Sequence, residues 1–173
     1  MKRLIFALIA FISLLITPCT TFADSAKYWN EKGNELYLGG NYEEAIVAYT
    51  KSIKRDPEFE FSYNNRGLAY QKLSKYQLAI YDYSKAIELN PKNTLAHYHR
   101  GLVYGIIGKY QLAINDFTKT LELEPNFTWP YHNRALAYEK LGKQEKAIND
   151  FKAAARLNYR PSQNYLKSKG IQW

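Results

Sequence analysis

The chain has 173 residues, 46% of them hydrophobic, with a formal net charge of +8 and a single cysteine. That length holds one ordinary domain or a short repeat array, and no Ser/Gly/Pro-rich or single-sign block reads as disorder. The positive charge is spread without a dense Lys/Arg run, so nucleic acid is not an expected partner.

Residues 1–23 read as an export leader rather than as part of the fold. Lys2 and Arg3 precede an apolar run at residues 4–16, interrupted only by Ser13, and Thr17-Pro18 ends it. The run is shorter than the roughly 20 residues of a comfortable membrane span. Thr21 and Ala23 place small residues before a cut at Asp24, which is the pattern of a cleaved signal peptide. The expected location is therefore periplasmic or secreted, with membrane contact only through an uncleaved leader. Cys19 would suit lipid attachment, but Pro18 stands where such signals carry a small residue, so a lipoprotein is not expected. Cleavage would lower the charge to +6 and remove the only cysteine, leaving no disulfide, thiol nucleophile or cysteine metal site.

From there the chain repeats itself at intervals of 34 residues. The first copy, residues 24–59, is loose but keeps Trp29, Gly33, Ala45, Tyr49 and Pro57 in phase. The second, residues 60–93, carries Tyr63, Arg66, Gly67, Tyr70, Tyr76, Ala79, Tyr83, Ala86 and Pro91. The third, residues 94–127, answers with His97, Arg100, Gly101, Tyr104, Tyr110, Ala113, Phe117 and Pro125. The fourth, residues 128–161, has Tyr131, Arg134, Ala135, Tyr138, Ala147 and Phe151, but Tyr159 stands where proline falls in the others. Within each copy the apolar places recur at three-to-four spacing twice, separated by a turn near Ser74-Lys75 in the second copy, which predicts two helices. Asn90-Pro91 ends the second helix, since proline lacks the amide hydrogen and disfavours helical geometry before it. Residues 162–173 begin a further helix with Tyr165 in phase, predicted to cap the array.

A second recurrence concerns charge. Asp82, Asp116 and Asp150 lie one period apart, each sixteen residues after Arg66, Arg100 and Arg134, whereas the first copy has Lys32 and Ala48 at those places. Joint presence and joint absence predict Arg–Asp pairs inside each hairpin.

This pattern resembles the tetratricopeptide repeat (TPR) family across nearly all of residues 24–173, though the leucine usual before the glycine is Lys32, Arg66, Arg100 or Arg134 here. The resemblance implies an all-α, right-handed α-solenoid of four helical hairpins plus the C-terminal capping helix. It also implies a concave groove lined by the first helices. Carried onto this sequence, the groove-facing places are Asn30, Asn34, Phe61, Asn64, Asn65, Leu68, Leu95, Tyr98, His99, Leu102, Trp129, His132, Asn133 and Leu136. Apolar anchors mixed with side-chain amides suit a peptide backbone, which an amide can both donate to and accept from. Trp129 is the expected anchor, unless it packs on Pro161 or the capping helix.

Some family members grip a C-terminal carboxylate with two lysines, two asparagines and an arginine. Asn34 and Asn65 match the asparagines, but Asn30, Leu95 and His99 stand at the cationic places, so that ligand class is unsupported. The expected function is a non-catalytic scaffold binding protein or peptide segments, and self-association of such an array is compatible with the pattern. The alternative is an envelope polysaccharide binder stacking sugars on Phe61, Tyr98 and Trp129. No catalytic order of Ser, Cys, His and Asp appears, and the recurring aspartates are dispersed one per repeat. His99 and His132 could approach across the groove, yet two histidines without a third ligand make no metal site. No cofactor is expected.

Overall fold

The computed structural model describes residues 25–173, so the leader reading, including Cys19 and the cut after Ala23, lies outside the described residues. Helices α1 (Ala26–Leu38) and α2 (Tyr42–Arg55) form the first hairpin, α3 (Glu60–Lys72) and α4 (Tyr76–Leu89) the second. The third is α5 (Thr94–Ile106) with α6 (Tyr110–Leu123), and the fourth α7 (Thr128–Lys140) with α8 (Gln144–Arg156). A ninth helix, α9 (Arg160–Ser168), packs on α8. Among the described residues there is no strand. The chain is an all-α solenoid, each hairpin resting on the next.

Each hairpin closes on one tight contact. The second helix supplies an alanine (Ala45, Ala79, Ala113, Ala147) and, one turn on, a ring (Tyr49, Tyr83, Phe117, Phe151), all essentially inaccessible. The first three rings lie against Gly33, Gly67 and Gly101, where an added Cβ would fall 2.4, 2.7 and 2.8 Å from a ring carbon. Glycine is required there by approach. In the fourth hairpin Ala135 takes this place, and Phe151 stacks on Tyr165 of α9, with centroids 4.0 Å apart.

The two kinds of turn end their helices differently. After α3, Ser74 adopts φ +56°, its N–H bonds to the Gln71 carbonyl and the Lys75 N–H to that of Tyr70, at 3.0 and 2.9 Å. This is the Schellman arrangement, and Gly40, Gly108 and Gly142 hold the same place with φ of +81°, +76° and +70°. Between hairpins, α2, α4 and α6 stop instead at Asp56, Asn90 and Glu124, each in the residue before a proline. The fourth hairpin, lacking that proline, uses Asn158 at φ +64° to make a Schellman end of its own. The capping helix therefore begins at Arg160, two residues before the expected start, because Pro161 is accommodated in its first turn, where an amide hydrogen would have no partner.

Arginines join the hairpins. Arg66 donates through Nε and Nη2 to both Asp82 oxygens at 2.7 and 2.8 Å, and through Nη1 to Thr50 Oγ1 of the preceding hairpin at 3.0 Å. Arg100 does the same with Asp116 and Ser84, and Arg134 with Asp150 and Thr118. Burial opposes the charge on all three guanidiniums, but the aspartate hydrogen bond and charge outweigh it and raise their pKa. The hydroxyl partners also recur at 34, a signal the sequence carries but the pairing argument did not use.

Removing one arm of this bridge strands the other. Arg100→Ala is expected to lower unfolding free energy by about 2–4 kcal/mol. In a urea-denaturation double-mutant cycle with Asp116→Ala, the losses should be strongly non-additive, and additive losses would refute the pairing. Ser74 sits in a left-handed conformation that costs a non-glycine residue roughly 1 kcal/mol, so Ser74→Gly should raise stability by about 0.5–1 kcal/mol in the same assay.

Candidate functional site: the inner face of the array

The first helices touch along the stack, α1 with α3, α3 with α5 and α5 with α7. They form a continuous layer, and each second helix packs on the first helices of its own and the next hairpin. Helices on the inside of a curved stack are the ones that crowd together, so this layer is the inner face.

Its amides are spent largely on one another. Asn65 Nδ2 donates to Asn30 Oδ1 and Asn34 Oδ1, both at 3.1 Å, and Asn34 Oδ1 also accepts the Tyr49 hydroxyl at 2.8 Å. Asn30 and Asn64 are buried, at 7% and 6% exposure, instead of presented to a ligand. Asn30 accepts from Ser62, and Asn64 donates to Asn65 at 3.2 Å, while Asn64 Oδ1 has no protein partner. Asn133 donates to the Tyr98 hydroxyl at 3.1 Å, and Tyr98 is itself buried. Leaving a buried amide unbonded is costly, and except at Asn64 Oδ1 the partners come from the array itself.

The histidines separate. His97 is buried with its ring nitrogens 3.4 Å from Asp116 Oδ1 and 3.2 Å from the Pro91 carbonyl. His99 stacks on Tyr83 of the preceding hairpin, centroids 5.8 Å apart, and burial pushes its pKa down to about 4. His132 turns toward the cap. Its Nδ1 lies 2.8 Å from Ser162 Oγ, its ring meets Phe151 and Tyr159 edge-on, and burial lowers its pKa despite Glu139. The expected approach of His99 and His132 across the groove gives way to these separate packings, because each ring is taken by an aromatic neighbour in an adjacent helix. Among the described residues no three His, Cys, Asp or Glu side chains converge on a possible metal position.

What stays open is apolar. Phe61, Leu95 and Trp129 hold one place in three successive hairpins and are 52%, 50% and 53% exposed. Trp129 packs on Tyr98 and Phe127, with centroids at 6.3 and 5.7 Å, and so leans on the third hairpin. Leu136 is exposed too, while Leu68 and Leu102 are half-buried. Between α5, α6 and α7 lies a cleft of about 280 Å³, walled by Leu102, Ile106 and Leu136, with Phe117 inside, Gly105 along one side and Lys140 at its edge. Ile106, Gly105 and Lys140 were not among the groove-facing places that the family resemblance implied. At the places equivalent to Gly105 the other hairpins have Tyr37, Gln71 and Glu139, and that contrast is the signal that marks it.

Models of the tetratricopeptide repeat family match residues 61–93 and 94–127, with further models matching 33–74 and 117–149. The chain belongs to the TPR family. Among curated relatives, Hsp70-Hsp90 organizing protein 1 of Glycine max is 47% identical over 51 residues, which is 30% of this chain and 8% of that protein. Tetratricopeptide repeat protein 12 of Homo sapiens is 43% identical over 51 residues, 30% of this chain and 7% of that protein. The chain thus aligns with less than a tenth of either. Among solved structures, MamA superposes with a TM-score of 0.76 at 27% identity, covering 82% of this chain and 83% of that one. The first TPR of Spaghetti (RPAP3), bound to the HSP90 peptide SRMEEVD, gives a TM-score of 0.67 at 34% identity over 68% of this chain and 93% of that one. These relatives support a protein-binding TPR scaffold.

The lowered pKa of His99 makes stability depend on pH. The unfolded imidazole takes up a proton below about 6.5, whereas the folded one stays neutral down to about 4. Between those values the unfolded state binds more protons, so stability falls as pH falls. Compared with His99→Asn, which installs the residue found at Asn65 and Asn133, the native chain should lose an additional 2–3 kcal/mol, on the order of the linkage expected, between pH 6.5 and 4. Urea melts of both proteins across that range provide the check.

Proposed function

We propose that this chain is a non-catalytic scaffold that holds an extended segment of a partner protein along its inner face, and that it acts outside the cytoplasm after export. The observation that carries this is the row of half-exposed Phe61, Leu95 and Trp129 at one helical place in three consecutive hairpins. Isolated apolar side chains on a surface are ordinary, but a row in register along a groove is a docking surface. An extended chain advances about 3.3 Å per residue, so such a row can take several of its side chains in turn. The peptide-bound RPAP3 repeat supports the reading for the fold in general.

The same geometry argues against a carboxylate clamp. Asn34 and Asn65 are bonded to each other, and buried Asn30, apolar Leu95 and neutral His99 supply no positive charge. The partner segment is therefore held by its side chains more than by its terminus. Export is inferred from the leader, residues 1–23, alone.

Trp129 is the anchor to remove. Its indole rests on Tyr98 and Phe127 but leaves half its surface free, so truncation should spare the fold. Purified protein recovered from an envelope fraction should begin at Asp24 and capture a discrete protein partner, with affinity falling at least tenfold, on the order of a hot-spot loss, in Trp129→Ala. Capture of soluble glycans in place of protein, or a cytoplasmic protein still carrying Met1, would overturn the corresponding half of the proposal.

A further inference from the structure

We infer that the cleft between α5, α6 and α7 is a selectivity pocket for one aliphatic side chain of an acidic partner segment, an assignment that rests on the scaffold reading above. Helix α5 contains two glycines in its second half, and they differ. Gly101 is demanded by packing, since an added Cβ would lie 2.8 Å from the Phe117 ring. At Gly105 nothing stands within 4 Å of an added Cβ, so no contact in the fold requires glycine there. Its φ is not in the left-handed region either. Gly105 lies in the last turn of α5 with helical φ, where a residue with a side chain fits equally well, and the equivalent places in the other hairpins carry Tyr37, Gln71 and Glu139. What the glycine does is keep the cleft open beside Leu102, Ile106 and Leu136. The lining is mostly apolar, Leu102, Ile106 and Leu136 with the rings of Tyr110 and Phe117, and both Ile106 and Leu136 are more than 40% exposed. Such a pocket takes a Leu- or Ile-like side chain.

Charge decides what surrounds that side chain. Lys140 borders the cleft, and Lys109 immediately precedes Tyr110, another of its lining residues. Lys143 reaches across to the same edge, its Nζ donating to Gln111 at 3.2 Å. All three lysines are exposed. Of the acids nearby, Glu139 accepts the Tyr165 hydroxyl, and Glu145 sits in the first turn of α8, facing that helix's positive end. Both carboxylates keep their charge, and three lysines against two of them leave the rim net positive toward an occupant. A segment with carboxylates on either side of an aliphatic residue meets both features. A basic segment would place like charges at the rim, and a nucleic acid offers the pocket nothing larger than a thymine methyl.

The probe is a fluorescein-labelled, C-terminally amidated peptide with one leucine between pairs of aspartates in a Gly/Ser background, read by fluorescence anisotropy against the purified chain. Controls replace the leucine with alanine, or the aspartates with lysines, and a poly-dT oligonucleotide serves as the polyanion. The expected result is that the parent peptide binds best, losing on the order of tenfold with alanine and more with lysines. Gly105→Gln, which copies Gln71 and favours helix, should remove that advantage of leucine over alanine while leaving the circular dichroism spectrum and melting temperature no lower. Lys140→Gln with Lys143→Gln should weaken binding several-fold and flatten its salt dependence, on the order expected for rim charges. Binding of neutral or basic peptides in preference, or leucine selectivity surviving Gly105→Gln, overturns the pocket but leaves the scaffold reading standing. Oligonucleotide binding unaffected by Gly105→Gln and tighter than any peptide overturns it in favour of a polyanion surface. Absence of binding to every peptide, together with no protein captured through Trp129, overturns both.

Discussion

The arrangement depends on a three-armed guanidinium at each joint between hairpins. A hairpin of this kind has two broad faces and can bury only one against itself, so its neighbours must supply the rest. Arg66, Arg100 and Arg134 stand at those joints, each gripping an aspartate of its own hairpin with two parallel bonds and a hydroxyl of the preceding hairpin with a third. The planar fork fixes angles as well as distances, which lysine's point charge would not do. Such a bridge contributes little net stability because both charges surrender water. Its contribution is register. The apolar contacts, alanine and ring against glycine, provide the burial, and the arginines set which way the next hairpin leans.

Much of this was legible in the residues. The recurrence at 34 located every helix pair, and the proline positions located the stops between hairpins. The Arg–Asp spacing of sixteen pointed to a contact that a single helix could not make. The residues that resisted were those whose role depends on the angle between hairpins. Asn30, Asn64 and His132 share a helical stripe with Phe61 and Trp129, yet the first three are turned into joints and the last two into the open. Spacing along a helix assigns a side to each residue only to within about a third of a turn, and the boundary between joint and groove is narrower than that. Ser162 could be named as partner of His132 only once α9 was seen to start at Arg160.

The inner face thus divides by chemistry. Toward the first hairpin it is closed by amides bonded across α1 and α3, and the place held by Phe61, Leu95 and Trp129 in the later hairpins is taken by the exposed Lys27, 3.9 Å from Glu31. Toward the fourth it opens into apolar surface, with Trp129 on one side and the Leu102–Leu136 cleft on the other. On the proposed scaffold reading, a partner that follows the row from Phe61 would find its widest apolar surface at the third and fourth hairpins.

The ends of the array bear out the role of the joints. The arginine series runs Lys32, Arg66, Arg100, Arg134, and one period further stands Ser168; the hydroxyl series runs Thr50, Ser84, Thr118 and then Lys152. Four hairpins have three joints, and the paired residues occur three times each. Among the described residues no hairpin precedes α1, so an arginine at position 32 would have no hydroxyl behind it; Lys32 turns to Glu35 at 2.8 Å instead, and Ala48 replaces the aspartate it would have needed. At the other end Ser168 of α9 holds the arginine place and the half-buried Lys152 the hydroxyl place, so the residues of a fourth bridge of this kind are absent there. An ion pair kept for stability alone would be as useful in the first hairpin as in the others. Its confinement to the junctions is what a device for aligning neighbours requires.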